Sequence, residues 1–171
     1  MGLDIFIETK PESESKRESC HGISREFCYQ ICNLTFDNPN SELELIQIYQ
    51  IYDLDFRILS RMNVWQIEEQ LRYGDSNQFT KDEIEAFYNN AFQPSIEFLK
   101  NLKSLYSKIR TKPELLTKVK WRNGSRVNYT DQFDKNIGKY IVDRNLGWDL
   151  RTMINFLEKL SESTLVRFGF V

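Results

Sequence analysis

Hydrophobic residues alternate with polar ones at both ends of the chain. Leu3, Ile5 and Ile7 occupy every second position, which is the period of a strand with one buried face. Segment 164–171 predicts a closing strand from its apolar residues Leu165, Val166, Phe168 and Phe170. Because an isolated strand leaves its apolar face and backbone groups unsatisfied, we expect the two terminal strands to share one sheet, covered by the last helix.

Between the two terminal strands, the apolar residues in the first half of the chain recur at helical spacing. Ser24 is placed to cap a first helix, whose recurring apolar residues are Phe27, Cys28, Ile31, Cys32 and Leu34. Ser41 followed by Glu44 has capping-box spacing and predicts a second helix. Segment 56–73 predicts one or two further helical pieces that end at Gly74.

The longest periodic run follows a second capping-box pair, Thr80 and Glu83. Its positions are spaced alternately four and three apart, at Ile84, Tyr88, Ala91, Ser95, Phe98, Leu102, Leu105 and Ile109. We call this periodic set of positions the seam. Pro94 predicts a kink or a restart of the helix, so we expect the seam to pack against other helices of the same chain rather than to form an intermolecular coiled coil. Pro113 then opens a short helix, and Gly147 precedes the last one.

Composition agrees with a folded, mainly helical domain. The chain has 171 residues, of which 40% are hydrophobic and 13% aromatic, enough for one core without disulfides or metal. The predicted fold is α+β, predominantly α: a single domain over 1–171, with a helical bundle and a small sheet made by the N- and C-terminal strands. No apolar run is long enough to span a bilayer and no export signal is evident, so we expect a cytoplasmic protein without membrane contact.

Charge is divided unevenly along the chain. Residues 1–99 carry a net charge of −10, whereas residues 100–126 carry +8. Basic residues interleaved with aromatic ones can neutralise phosphates and stack on bases. A solvated helix face whose positive charges balance the acidic residues 1–99 would explain them too. The candidate residues for nucleic-acid or partner binding are Lys118, Lys120, Trp121, Arg122 and Arg126.

One cluster contains residue types that bind metals. Cys28 and Cys32 would share a helix face, and Cys20 or His21 could complete a tetrahedral site. The spacing is not that of a zinc knuckle, and buried free cysteine behaves as a small apolar residue. We therefore expect neither bound zinc nor any other metal or cofactor.

Catalytic signals are weak. No phosphate loop, nucleophile elbow or dinucleotide fingerprint is present, and the single histidine leaves carboxylate pairs as the remaining acid–base groups. Asp53 and Asp55 could bind Mg²⁺ with Glu68 or Glu69, although solvated helix ends explain such carboxylates more simply. The sequence therefore favours a protein that is not an enzyme.

The two ends of the chain together carry a resemblance. MGLDIFIE at the start and GKYIVDRNLGWDLR near the end look like a family of uncharacterised bacterial proteins that open MGLDIY and end in G-x-Y-I-x-x-N-[FL]-G-x-D-L-R. The matching tail positions are Gly138, Tyr140, Ile141, Asn145, Leu146, Gly147, Asp149, Leu150 and Arg151. The resemblance implies a cytoplasmic, single-domain accessory protein and carries no activity.

Some tail positions have a role that helix chemistry predicts. Asn145 is placed to cap the last helix, and Asp149 lies in its first turn, where the helix dipole favours an acid. Arg151 is a candidate partner for Asp4 in a buried pair, if the terminal strands pack beside this helix.

Three hypotheses for function follow. The leading one is a non-catalytic binding protein that contacts another protein through its charge-divided surface, as an accessory of a mobile-element or defence-related system. The second is a nucleic-acid-binding protein that uses residues 100–126. The third is a carboxylate- or metal-dependent enzyme.

Overall fold

The computed structural model describes residues 3–11, 22–34, 42–74, 78–121, 129–130, 133–134 and 144–171. Over these residues the chain is α+β and predominantly α, as expected. The elements are, in chain order, β1 (Ile5–Lys10), α1 (Arg25–Cys32), α2 (Glu44–Ile51), α3 (Arg57–Met62), α4 (Trp65–Tyr73), α5 (Lys81–Asn90), β2 (Gln93–Pro94), α6 (Ser95–Thr111), a 3₁₀ helix (Pro113–Lys118), α7 (Leu146–Leu157) and β3 (Leu165–Phe170).

The three strands form one antiparallel sheet in the order β1-β3-β2. Ile5 lies opposite Phe170 and Ile7 opposite Phe168, so the prediction that the chain ends share a sheet is confirmed. The short strand β2 was not expected. It arises where Pro94 ends the preceding helical path, and its two residues pair with Leu165 and Val166 of β3.

The inner face of the sheet packs on helices from the middle of the chain. Phe168 is fully buried, and its ring lies 6.1 Å from that of Phe27 on α1 and 5.7 Å from that of Phe98 on α6, both edge to face. α7 packs on α6, and its Leu150, Met153 and Leu157 belong to the same buried core as Phe168. That the last helix itself covers the sheet stays a prediction.

Helix starts follow the predicted caps at two places and differ at a third. Ser24 accepts a hydrogen bond from the Phe27 N–H, and Thr80 and Glu83 form the complete capping box of α5. In contrast, α2 begins only at Glu44, after Leu43, which offers no side-chain cap. The predicted cap at Ser41 is therefore wrong, since Glu44 occupies the first helical position rather than the third.

The long seam is divided by the break at Pro94. Every seam residue from Ser95 to Ile109 is buried on α6, whereas Ile84 and Tyr88 on α5 are only half-buried, and α5 has no fully buried residue. The predicted restart is confirmed, but the seam is not one continuous helix face. Segment 56–73 likewise forms two helices, and Gly74 caps the second as expected.

The sequence also carries turn signals over 36–41 and at Asn123 with Gly124, and a weak strand signal over 126–129. These segments lie outside the described residues, except for the buried Tyr129. Among the helices that the structure describes, none combines the length and the hydrophobicity needed to cross a bilayer.

Candidate functional site

A buried carboxylate joins the tail of the chain to its first helix. Asp149 on α7 is completely buried. Its carboxylate accepts hydrogen bonds from the Ser24 N–H at 2.7 Å, from the Ser24 hydroxyl at 2.5 Å and from the Tyr129 hydroxyl at 2.7 Å. The donors come from two residues that are distant in the chain, so Asp149 fixes the position of Ser24 relative to Tyr129.

Two helix starts meet at this carboxylate. Ser24 is the N-cap of α1, and its hydroxyl accepts from the Phe27 N–H at 3.1 Å while it donates to Asp149. Asn145 is the N-cap of α7 and accepts from the Trp148 N–H at 2.8 Å, as predicted. Negative charge is favoured at helix N-termini, so the Asp149 carboxylate interacts favourably with the dipoles of both helices.

Burial sets the protonation of this network. Removal from water raises the pKa of Asp149 to about 7, while the hydrogen bonds from Ser24 and Tyr129 act in the opposite direction. Burial and the neighbouring carboxylate raise the pKa of Tyr129 well above its ordinary value. The phenol therefore remains a hydrogen-bond donor at neutral pH, and the carboxyl group is the member of the network that titrates.

Arg151 makes a different contact from the one predicted. Its guanidinium donates to the Phe133 carbonyl at 2.8 Å, whereas Asp4 forms an exposed ion pair with Arg25 at 3.7 Å. The expected pair of Arg151 with Asp4 is therefore wrong.

The residues before α7 add further contacts to the same junction. Arg144 and the Trp148 indole N–H both donate to the Gly22 carbonyl, and the Arg144 guanidinium lies 4.7 Å from the Trp148 ring centroid. Gly147 is buried so close to the Phe133 carbonyl that a Cβ atom would overlap it. The described tail positions thus act together as a structural clasp, and Tyr140 lies outside the described residues.

The basic segment forms an exposed surface rather than a compact site. Lys118 and Lys120 are exposed, and Trp121 is half-buried against the core. Arg122 and Arg126 lie outside the described residues. We define the basic surface by its described exposed members, Lys100, Lys103, Lys108, Lys112, Lys118 and Lys120.

These lysines are not neutralised by the acidic half of the chain. Lys103 pairs with Glu158 at 2.6 Å. Lys108 donates to the Tyr52 carbonyl at 2.7 Å, at the end of α2. Within the part of the chain that is described, no carboxylate lies within ion-pair distance of Lys100, Lys112, Lys118 or Lys120. The basic surface therefore keeps a net positive charge.

Grooves with apolar walls run along this surface. One, of about 520 Å³, follows α6 past Ile96 and Leu99. A second, of about 350 Å³, lies between α2, α6 and the 3₁₀ helix, with Ile51 and Leu115 in its lining. Ile96 is 49% exposed, so apolar area lies beside the lysines.

The predicted metal and acid–base groups are only partly brought together. The Sγ atoms of Cys28 and Cys32 lie 3.9 Å apart, and their mutual hydrogen bond, followed by burial, raises the pKa of Cys32. Cys20 and His21 lie outside the described residues. Among the described histidine, cysteine and acidic side chains, no group of three could hold a metal ion.

The carboxylates proposed for Mg²⁺ have other partners. Asp55 pairs with Arg57 at 2.7 Å, and this hydrogen-bonded contact lowers its pKa. Burial raises the pKa of Glu68, which lies 3.5 Å from Arg72. Asp55 and Glu68 thus serve separate ion pairs rather than one cation site.

Sequence reasoning found the cap at Ser24 and the acid at Asp149 but not the bond between them. A buried Ser–Asp contact needs tertiary proximity, which local spacing does not encode. It also missed the cross-strand pair of Glu8 with Arg167, for which a single charge in the apolar run of β3 was the available signal.

No family model, no curated protein and no solved structure matches this chain.

Proposed function

We propose that this chain is a non-catalytic protein that binds an acidic partner protein through its basic surface. The observation that carries the proposal is that four exposed lysines of this surface have no carboxylate within ion-pair distance in the described structure. Unpaired surface charge steers and selects oppositely charged partners. The partner would place its acidic residues on Lys100, Lys112, Lys118 and Lys120.

Apolar area beside these lysines supports a protein partner. Ile96 is half-exposed, and Ile51 and Leu115 line the second groove. Protein interfaces combine apolar anchors with a charged rim. A partner segment that carries both acidic and apolar side chains would use the lysines and the grooves together.

Nucleic acid is the second candidate, and one observation favours it. Trp121 follows Lys118 and Lys120 closely, as in surfaces that stack bases and neutralise phosphates. However, Trp121 packs partly against the core, which limits the ring face left for a base. The chain also carries a net charge of −2, so its acidic remainder would repel a long polyanion.

The proposal includes the cellular setting. Cys28 and Cys32 are free thiols, which suits a reducing cytoplasm. We also propose that the protein is an accessory of a mobile-element or defence-related system, and the identity of the captured partner tests this role.

The third hypothesis is a carboxylate- or metal-dependent enzyme. Among the described residues, no group of three histidine, cysteine or acidic side chains supports a metal site.

Affinity capture with charge-matched variants tests this function. The full-length protein, Lys112→Glu with Lys118→Glu, and Lys81→Glu with Lys159→Glu would each be incubated with lysate of the native cell, with and without nuclease treatment. Both variants change the net charge by the same amount, at exposed lysines that belong to the defined basic surface only in the first variant. We expect a protein that is captured by the wild type and by the second variant and lost with the first. A partner retained equally by both variants, or capture abolished by nuclease, would contradict the proposal.

A further inference from the structure

The outer face of the sheet carries a preorganised ion pair. Glu8 on β1 lies directly opposite Arg167 on β3, and the Arg167 Nε donates to the Glu8 carboxylate at 2.7 Å. The same guanidinium donates to the Tyr88 carbonyl at 3.1 Å and lies 4.7 Å and 4.6 Å from the ring centroids of Tyr88 and Phe92. These contacts hold the inner side of α5 against the sheet.

An open groove of about 520 Å³ lies between α5 and the two long strands. The helix contributes its apolar wall through Ile84, Tyr88 and, just beyond its end, Phe92. None of the residues of α5 is fully buried, and the groove is open to solvent along the helix. The volume lies within the range of small-molecule sites.

The lining of this groove carries three cations and two carboxylates. Glu8 and Arg167 neutralise each other, which leaves Lys10 and Lys81 against Glu85 and a net charge of +1. The Lys10 ammonium donates to the neutral Asn89 side chain at 3.0 Å and lies 5.5 Å from the Phe92 ring centroid. Lys81 is the first residue of α5, whose first turn also holds two acidic residues.

We propose that this groove binds a small organic anion with a flat aromatic body. The anionic group, a carboxylate or a phosphate, would bind Lys10 and Lys81, and the ring would lie along the apolar wall that begins at Ile84. Arg167 is only 14% exposed and already fixed by its contacts, so binding would order the two exposed lysines but not the wall of the groove. This site is separate from the basic surface and does not depend on the proposed partner.

NMR titration of the full-length protein tests the site with three related probes. Indole-3-acetate and indoxyl phosphate carry the two anionic groups on the same ring system, and indole-3-acetamide is the neutral match for the first. We expect saturable shifts of the amides of 8–10, 88–92 and 167 with one or both anions, and at least about tenfold weaker binding of the amide. The stronger anion identifies the group that the site prefers.

Matched variants complete the test. Lys10→Gln with Lys81→Gln should weaken binding of the preferred anion about tenfold, whereas Arg61→Gln with Lys159→Gln should leave it unchanged. Both pairs remove two exposed cations and leave the core untouched. The proposal is overturned if neither anion gives saturable shifts, if the shifts map to another surface, or if acid and amide bind equally.

Discussion

Ser24 and Asp149 lie 125 residues apart in the chain, and Ser24 donates two hydrogen bonds to the Asp149 carboxylate, from its backbone N–H at 2.7 Å and its hydroxyl at 2.5 Å. Both residues are buried. One serine thereby caps α1 and binds the first turn of α7. The clasp ties the start of α7 to the start of α1.

Replacing Ser24 by alanine should therefore cost more than the loss of an ordinary cap. The Ser24→Ala variant loses the N-cap of α1 and one donor to a buried carboxylate, so the free energy of unfolding should fall by about 3 kcal/mol. Thr80→Ala is the control, because it removes a hydroxyl cap at an exposed helix start and should cost about 1 kcal/mol. Urea unfolding measures both, and equal losses would show that the bond to Asp149 adds nothing.

Stability should fall as the pH rises through the titration of Asp149. The folded state raises the pKa of this carboxyl to about 7, so below the folded value it binds its proton more tightly than the unfolded chain does. The free energy of unfolding should then decline between about pH 4 and pH 7, by at most about 1.4 kcal/mol per pH unit, and level off above.

The Asp149→Asn variant isolates this contribution, because its amide does not titrate. The free energy of unfolding of the wild type minus that of the variant should decrease as the pH rises from about 4 to about 7. A difference that increases instead would mean that the hydrogen bonds from Ser24 and Tyr129 outweigh burial and that the pKa is lowered.

Gly147 should not tolerate alanine, although it lies within a helix. Glycine to alanine usually stabilises a helix by about 1 kcal/mol. Here the added methyl group would overlap the Phe133 carbonyl, so we expect a net loss of about 2 kcal/mol. Asn155→Ala, at an exposed position of the same helix, should instead stabilise slightly. Thermal unfolding compares them, and a gain in Gly147→Ala would place Phe133 elsewhere.

The sequence predicted elements whose signals are local. The strand pattern at Ile5 and Ile7 and the capping box at Thr80 and Glu83 each depend on residues a few positions apart, and each is present. The cap at Ser41 failed because its spacing alone does not decide where a helix begins when Leu43 and Leu45 are drawn into the core. Local signals thus gave the elements more reliably than their exact limits.

Tertiary relationships were less accessible from the sequence. The edge-to-face packing of Phe27 and Phe98 on Phe168 depends on which helices meet beneath the sheet. The contact of Arg151 with Phe133 depends on a segment without regular periodicity. The sequence showed that residues 1–99 carry a net charge of −10 and residues 100–126 a net charge of +8. Only the structure showed that Lys103 pairs with Glu158 and not with a carboxylate of the acidic N-terminal half.

The central claim is that the basic surface selects an acidic protein rather than a nucleic acid. The most direct measurement compares the captured partner with a mixed-sequence single-stranded oligonucleotide, each titrated against wild type and Lys118→Gln with Lys120→Gln over a range of salt concentrations. We predict that the variant loses affinity for the partner, and that oligonucleotide binding is weak and has the same salt slope in both proteins. Tight oligonucleotide binding whose salt slope falls in the variant would contradict the account, because a lower slope means that these lysines neutralise phosphates.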